Sequence, residues 1–299
     1  MDSGEFEKGD RIDVRLNEQE SPANGWKQST VSIQDEPTTP SIAPSEPRRK
    51  DASSTQILNF LLSDAALEWC RPEEENKDVQ RNNNLITYSQ FLSPFEELLC
   101  AVVMSRSIPY RLGLRTIRTI LNPPYEFRQP VAIKMAGSAK IQQALWSARM
   151  KHKGRTAEEI DVIAAAMADN QWHNDIQKIR KQARGVTGQE REALQSTVKG
   201  MGQDGLDIFY RRIQCQWPEV YPYIDPRAQA ALERLGLPTR AEGIQKMIED
   251  RWAEFEIQEE GQGEKEERKR RAFVILLERA VGAVEEHNTE EVVEEASHL

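Results

Sequence analysis

One acidic residue stands where its side chain could take part in chemistry. Asp225 follows the aromatic, proline-rich loop "WPEVYPYI" over 217–224 and precedes an alanine-rich helix that is predicted to begin at Pro226. A carboxylate at such a junction can act as an acid–base group, or it can cap the helix by accepting hydrogen bonds from its first amides. Pro at the first helical position favours the capping role. The local sequence leaves both roles open.

A glycine pair upstream could hold an anion. Gly200 and Gly202 alternate in "STVKGMGQDG", between two predicted helices. Glycines at this spacing allow a tight reversal with positive φ, and they expose backbone N–H groups near a helix start, where the helix dipole favours a phosphate. Lys199 adds a positive charge. The segment 196–206 is therefore either a phosphate-binding hairpin or an ordinary tight turn.

The composition restricts the class of protein. Hydrophobic residues make up 38% of the 299 residues and charged residues 30%, with a mean hydropathy of −0.68. Residues 1–52 are rich in Ser, Pro, Thr, Glu and Gln and are predicted to be a disordered N-terminal tail. No apolar run approaches the roughly 20 residues of a membrane span, and the polar N-terminus is not a secretory signal. The cysteines, Cys70, Cys100 and Cys215, fit neither a disulfide framework nor a zinc site, which favours an intracellular setting.

The net charge of −9 is unevenly distributed. Residues 105–155 contain eleven basic side chains and one acidic one, which gives +10, whereas residues 241–299 have a net charge of −9. Such asymmetry indicates partners better than the total does. The basic segment is either a polyanion-facing surface or a solvated helical face.

The apolar residues recur at helical spacing along the chain, and no segment alternates with period two, so we predict an all-α fold. In "SPFEELLCAVVMSRSI", Ser93 is a good N-cap, Pro94 suits the first helical position and Glu96 completes a capping box. By the same pattern, Thr156 and Glu159 are expected to begin another helix.

The polar segments are expected to be irregular. Residues 71–84, "RPEEENKDVQRNNN", are predicted to form a loop. Residues 53–285 are predicted to form the helical domain, and residues 286–299 an acidic C-terminal tail that frays.

The order of the motifs resembles that of the helix-hairpin-helix (HhH-GPD) DNA glycosylase superfamily, as a divergent eukaryotic member. The hairpin of that family, Leu-Pro-Gly-x-Gly, aligns with Val198-Lys199-Gly200-Met201-Gly202, and the family aspartate, here Asp225, precedes a helix that ends in Arg-Leu-Gly, here 234–236. "SPFEELLCAVVMSRS" is similar to the family's first core helix, and "RTAEEIDVIAAA" to the helix before the hairpin helices. The resemblance covers residues 85–238.

The resemblance implies two helical lobes, a central one over about 100–210 and a second one closed by helices near 55–70 and 240–285. It implies that double-stranded DNA is bound and bent, and that a damaged or mismatched base is flipped into a pocket between the lobes. Asp225 would be the catalytic residue, which activates water or stabilises the positive charge on the sugar. The implied DNA contacts are Lys199, Gly200, Met201, Gly202, Arg106 and Arg155. The implied base pocket comprises Trp217, Tyr221 and Tyr223, for which core packing is the alternative.

The chain departs from the family in ways that narrow the chemistry. Asp204 occupies the position where bifunctional members carry a lysine nucleophile, so Schiff-base chemistry is not expected. Pro226 and Arg227 replace the polar pair that usually follows the aspartate, and no cysteine after Asp225 is present to hold an iron–sulfur cluster. We therefore predict no metal and no cofactor.

The predicted function is a monofunctional DNA N-glycosylase, a hydrolase of base-excision repair. The alternatives are a catalytically inactive HhH DNA-binding module and a helical interaction protein. We expect a monomer in the nucleus, with double-stranded DNA as partner, no membrane, and repair proteins as possible partners of the charged tails. The short basic cluster "PRRK" at 47–50 is a weak nuclear-import signal.

Overall fold

The computed structural model describes residues 52–299, apart from residues 152, 169–174, 184–186, 199–200 and 256–262. Within these ranges the regular structure is helical and contains no strand, which confirms the all-α prediction. The helices are α1 (Ser54–Leu62), α2 (Leu67–Cys70), α3 (Glu73–Arg81), α4 (Pro94–Met104), α5 (Tyr110–Leu121), α6 (Pro130–Ser147), α7 (Lys153–Ala168), α8 (Gln177–Gln182), α9 (Thr187–Thr197), α10 (Gln203–Ile213), α11 (Pro226–Arg234), α12 (Ala241–Asp250), α13 (Lys265–Glu285) and α14 (Thr289–Ser297). Except for Ala52, the predicted N-terminal tail lies outside the described residues.

Helix α4 begins as its sequence predicts. The Ser93 hydroxyl accepts the backbone N–H of Glu96 at 3.4 Å, and the Glu96 carboxylate accepts the N–H of Ser93 at 2.8 Å. These two bonds satisfy two backbone N–H donors at the helix start. Pro94 has no backbone N–H, so it adds no unpaired donor there. The rest of α4 is buried, so this helix lies within the apolar core.

The predicted cap at Thr156 was wrong. Helix α7 begins at Lys153, so Thr156 lies inside the helix and is buried. The Glu159 carboxylate accepts hydrogen bonds from Arg106 and Arg155. A carboxylate next to two guanidinium groups gains more from these ion pairs than from capping a backbone amide.

Residues 71–84 were predicted as a loop, but most of them form helix α3. Its first turn carries Glu73, Glu74 and Glu75, which suit the positive end of the helix dipole. Glu75 is fully buried and pairs with Arg118 of α5 at 2.7 Å. A buried ion pair holds this helix in place, and an apolar pattern does not reveal such an anchor.

The buried apolar side chains form two clusters. The central cluster contains residues from Tyr88 to Val220, and the terminal cluster contains residues 57–70 and 228–296. Helix α13 contacts both α10 and α11 and so connects the two clusters.

The last residues of the chain differ from the predicted acidic tail. Residues 289–297 form helix α14, which packs on α1 with Val292 and Ala296 fully buried. The surrounding glutamates concealed this narrow apolar face in the sequence.

Candidate functional site

A pocket lies where the end of α4 meets the starts of α10 and α11. Its volume is ≈ 330 Å³. Its lining includes three carboxylates and two guanidinium groups, and it consists of Met104, Ser105, Arg106, Ser107, Asp204, Asp207, Ile208, Asp225, Pro226 and Arg227. The pocket is therefore polar and carries charges of both signs.

Asp225 forms part of the pocket wall and is also the N-cap of α11. Its Oδ1 accepts the backbone N–H groups of Arg227 at 2.9 Å and Ala228 at 3.2 Å. Its Oδ2 accepts a hydrogen bond from Arg211 Nη1 at 2.8 Å, and only 2% of the residue is exposed. The capping role is thus present. Because a carboxylate accepts about four hydrogen bonds, about one position remains for a water molecule or a ligand.

Arg211 links Asp225 to a chain of buried charges. Its Nε donates to Glu278 of α13 at 2.7 Å. The adjacent Arg212 pairs with Glu97 of α4 at 2.5 Å. Burial alone would lower the pKa of Arg211, but Glu278 and Asp225 outweigh burial and hold that pKa above its ordinary value. The arginine beside Asp225 is therefore always charged, and it offsets part of the negative charge of the carboxylate.

Asp207 is a second buried carboxylate of the pocket, and sequence analysis did not identify it. Its Oδ1 accepts hydrogen bonds from the Tyr223 hydroxyl at 2.6 Å, from Arg191 at 2.5 Å and from Gln203 at 3.0 Å. These bonds orient Asp207 and connect α9, α10 and the loop before α11. Asp204, one turn earlier, is exposed at the same pocket.

The signal for the missed residues lies in "IFYRRIQCQW", where Arg211 and Arg212 interrupt an apolar run. Charged residues within a buried helix must be paired. Their partners Glu97 and Glu278 lie in other apolar helices, and the sequence does not show which charges meet.

Arg106 and Arg155, the implied DNA contacts outside the hairpin, share one carboxylate. Arg106 lines the pocket and pairs with Glu159 at 2.7 Å, and Arg155 pairs with the same residue at 3.2 Å. Arg155 is largely exposed, whereas Arg106 is mostly buried. Arg106 would have to leave Glu159 before it could bind a phosphate with its full charge.

The predicted hairpin is described only in part. Lys199 and Gly200 lie outside the described residues. Met201 is buried in the central cluster, and Gly202 is the exposed N-cap residue of α10. Gly202 has a φ of −74°, so its own conformation does not require glycine.

The aromatic residues implied as the base pocket have separate positions. Trp217 is fully buried and contacts Phe209 in the central cluster, and Tyr221 packs against Phe273 at the terminal cluster. Neither belongs to the lining of the pocket. Tyr223 is half-buried and reaches the pocket only through its bond to Asp207. Core packing, the alternative role, fits Trp217 and Tyr221.

Folding neutralises much of the basic segment. Six of its eleven cationic side chains form ion pairs with acids from outside the segment, namely Arg106, Arg111, Arg115, Arg118, Arg128 and Arg155. Among the others, Lys140, Arg149 and Lys151 are exposed. The charge available to a polyanion is therefore well below +10.

The described residues contain no cluster of His, Cys, Asp and Glu that could hold a metal ion. Within the same ranges, no helix has the length and apolar character that a membrane crossing needs. The three cysteines are buried, and burial raises the pKa of Cys70 and of Cys215 to about 12, so neither is a reactive thiolate.

Comparisons of the chain with protein-family models, with curated protein sequences and with solved structures find no match. The function therefore has to be argued from the pocket and the residues that form it.

Proposed function

We propose that the chain binds double-stranded DNA and hydrolyses the N-glycosidic bond of a flipped nucleotide, as a monofunctional glycosylase with the HhH-GPD fold. One observation carries the proposal. The pocket places the N-cap carboxylate of α11, Asp225, against the end of α4 and against the start of α10, which follows the predicted hairpin. Two parts of the sequence resemblance, the end of the segment that is similar to the first core helix and the aspartate, thus line one pocket.

The chemistry follows from how Asp225 is held. As a base leaves, positive charge builds on the sugar, and a fixed carboxylate stabilises it electrostatically. The amides of Arg227 and Ala228 and the guanidinium of Arg211 fix the orientation of this carboxylate. Its remaining acceptor position can orient one water molecule for attack on the sugar. The volume of ≈ 330 Å³ lies in the usual range for small-molecule pockets.

The pocket favours hydrolysis over covalent catalysis. No lysine is found among the described residues that line it, and Asp204 occupies the position of the family nucleophile. Without an amine, a Schiff base with the sugar cannot form at this pocket.

A DNA-binding module without turnover is the second candidate, and Arg211 favours it. This guanidinium lies 2.8 Å from Asp225 Oδ2 and reduces the electrostatic stabilisation that the carboxylate gives to a cationic sugar. The same fold would then bind duplex DNA and hold a nucleotide without cleaving it.

Base release from a panel of duplexes tests the proposal. The panel carries alkylated, deaminated, oxidised and mismatched bases, and the full chain should release at least one of them. Asp225→Asn keeps a good N-cap residue but removes the charge, and we expect release to fall by about 100-fold or more. Glu233→Gln, on the exposed face of α11, is the matched control and should leave the rate unchanged.

Circular dichroism of both variants, measured below their unfolding midpoints, separates lost chemistry from lost structure. DNA binding without release from any duplex would establish the second candidate. If the chain binds no duplex at all, both DNA functions are wrong and the helical interaction protein remains. Both the glycosylase and the DNA-binding module would be expected in the nucleus, in contact with repair proteins.

A further inference from the structure

A second pocket lies between the segment after α2, the segment before α4 and helix α13. Its volume is ≈ 80 Å³, which corresponds to about two to three water molecules. Its lining includes three arginines, Arg71, Arg212 and Arg279, and one acid, Glu278. A small space with an excess of positive charge suits a small anion.

Two of these arginines are already compensated. Arg212 pairs with Glu97 at 2.5 Å. Arg279 pairs with Asp64 at 3.6 Å and donates to the carbonyl oxygens of Leu61 at 2.7 Å and Ser63 at 2.5 Å. Arg71 differs, because it forms no ion pair within the described part of the chain, and burial lowers its pKa below the ordinary value.

Three polar atoms on the lining residues have no hydrogen-bond partner among the described residues. They are Arg71 Nε, the Tyr88 hydroxyl oxygen and Glu278 Oε2, and all three are buried. Glu278 Oε2 lies 3.7 Å from Arg212 Nη1, which is beyond hydrogen-bond range. Tyr88 itself is 2% exposed. Buried polar atoms are rarely left without a hydrogen-bond partner, so this group of three indicates bound water or a ligand.

The donor and acceptor types and the charge of the pocket together restrict the guest. Arg71 Nε can only donate a hydrogen bond, Glu278 Oε2 can only accept one, and a phenol can donate. A matching guest must therefore accept two hydrogen bonds and donate one. A water molecule can do this, but only an anion also offsets the excess of positive charge in the lining. Hydrogen phosphate does this with two P–O oxygens and one P–OH group, whereas sulfate has no proton to donate to the carboxylate.

We propose that this pocket binds hydrogen phosphate, which accepts from Arg71 and Tyr88 and donates to Glu278. The site is independent of the Asp225 pocket, so the proposal does not rest on the glycosylase function.

Calorimetric titration and thermal unfolding of the full chain test the site with three anions at equal ionic strength. At about pH 8, inorganic phosphate keeps a P–OH group, whereas methyl phosphate has lost the proton that leaves with a pKa of about 6. We expect phosphate to bind and to raise the unfolding temperature, and sulfate and methyl phosphate to do neither. An equal effect of sulfate would mean general salt exclusion and would overturn the proposal. Absence of phosphate binding would also overturn it.

Tyr88→Phe supplies the residue-level test. The ring that stacks on Arg212 at 4.1 Å is retained, and only the unpaired hydroxyl is lost. The Kd for phosphate should rise about tenfold, the effect of one hydrogen bond to a charged group, while the unfolding temperature without phosphate should not fall. Tyr125→Phe is the matched control, since its hydroxyl bonds Ser147 elsewhere, and its Kd should not change. An unchanged Kd in Tyr88→Phe would remove Tyr88 from the site and refute the assignment.

Discussion

The buried arginines next to Asp225 are held by charges on other helices. Arg211 and Arg212 are adjacent on α10, yet Arg211 pairs with Asp225 and Glu278, and Arg212 pairs with Glu97. Removing one member leaves its partner buried without compensation, which costs more than the pair contributes. The position of Asp225 thus depends on residues that never touch the pocket.

Glu97→Gln tests this dependence. Glu97 is fully buried and Arg212 is 3% exposed, so the substitution leaves a buried guanidinium without its nearest carboxylate. We expect the free energy of unfolding to fall by about 3 kcal/mol, measured by urea denaturation. The double variant Glu97→Leu with Arg212→Met should recover much of this loss. If the double variant is less stable than Glu97→Gln, the cost of an uncompensated buried charge does not explain the loss, and the explanation is wrong.

The sequence reveals individual residues of the site better than it reveals their partners. The cap at Asp225 could be predicted, because Asp before Pro at a helix start depends only on neighbouring residues. Asp207 and Arg211 could not be assigned, because their roles arise from contacts with Tyr223, Arg191 and Glu278 that are distant in the chain or on other elements. Trp217 fits the pattern of a pocket aromatic equally well, and only its burial distinguishes the roles.

At the scale of elements, helix α13 approaches α2 so closely that only glycine fits at their crossing. A Cβ atom on Gly282 would lie 2.2 Å from the backbone carbonyl oxygen of Cys70. Gly282→Ala should therefore push the two helices apart and lower the free energy of unfolding by about 1 to 3 kcal/mol, measured by urea denaturation. Gly154→Ala, where a Cβ atom meets nothing within 4 Å, should leave stability unchanged or raise it by up to about 1 kcal/mol. Equal effects of the two substitutions would contradict a tight crossing.

Helix α9, which precedes the predicted hairpin, carries a buried acid. Glu190 is fully buried, and neither of its carboxylate oxygens has a hydrogen-bond partner among the described residues. Burial, followed by repulsion from Glu219, raises the pKa of Glu190 from 4.5 to about 7. Between these two values the folded state binds a proton that the unfolded state has lost.

Stability should therefore fall as the pH rises from about 4.5 to about 7 and then change little. Chemical denaturation across this interval measures the effect. Glu190→Gln, which carries no charge at any pH, should remove the decline, whereas Glu192→Gln on the exposed side of α9 should keep it. A decline of the same size in Glu190→Gln would assign it to other groups.

The start of a helix could be predicted where residues within one turn of that start determine it. The start of α4 followed from Ser93, Pro94 and Glu96, which act within one turn. The start of α7 did not, because Glu159 bonds to Arg106, 53 residues away, and the helix begins at Lys153, before Thr156. Helix α3 was missed because its buried position is itself a glutamate, Glu75. Helix α14 was missed because glutamates surround its buried residues, Val292 and Ala296.

At the scale of the whole molecule, internal ion pairs limit what the chain offers to DNA. Within the basic segment 105–155, the exposed cations Lys140, Arg149 and Lys151 would supply about three phosphate contacts. If this segment is the DNA-facing surface, log K against log salt should have a slope of about −3. Lys140→Gln should reduce the magnitude of the slope by about 1, and Arg111→Gln, whose partner is Glu286, should change it little. A slope of about −9 in a fluorescence anisotropy titration would show instead that the internal pairs open on binding.

The packing of α1 on α14 has a consequence for synthesis of the chain on the ribosome. Gln56 in α1 donates to the carbonyl of Ser297, 241 residues later, so α1 cannot pack on α14 until α14 has emerged. At ordinary translation rates this delay is roughly 10 to 50 s. The apolar face of α1 is uncovered during that time, and a chaperone would have to shield it. Nascent chains stalled before Thr289 should therefore remain sensitive to protease in α1, and release of the full chain should end that sensitivity.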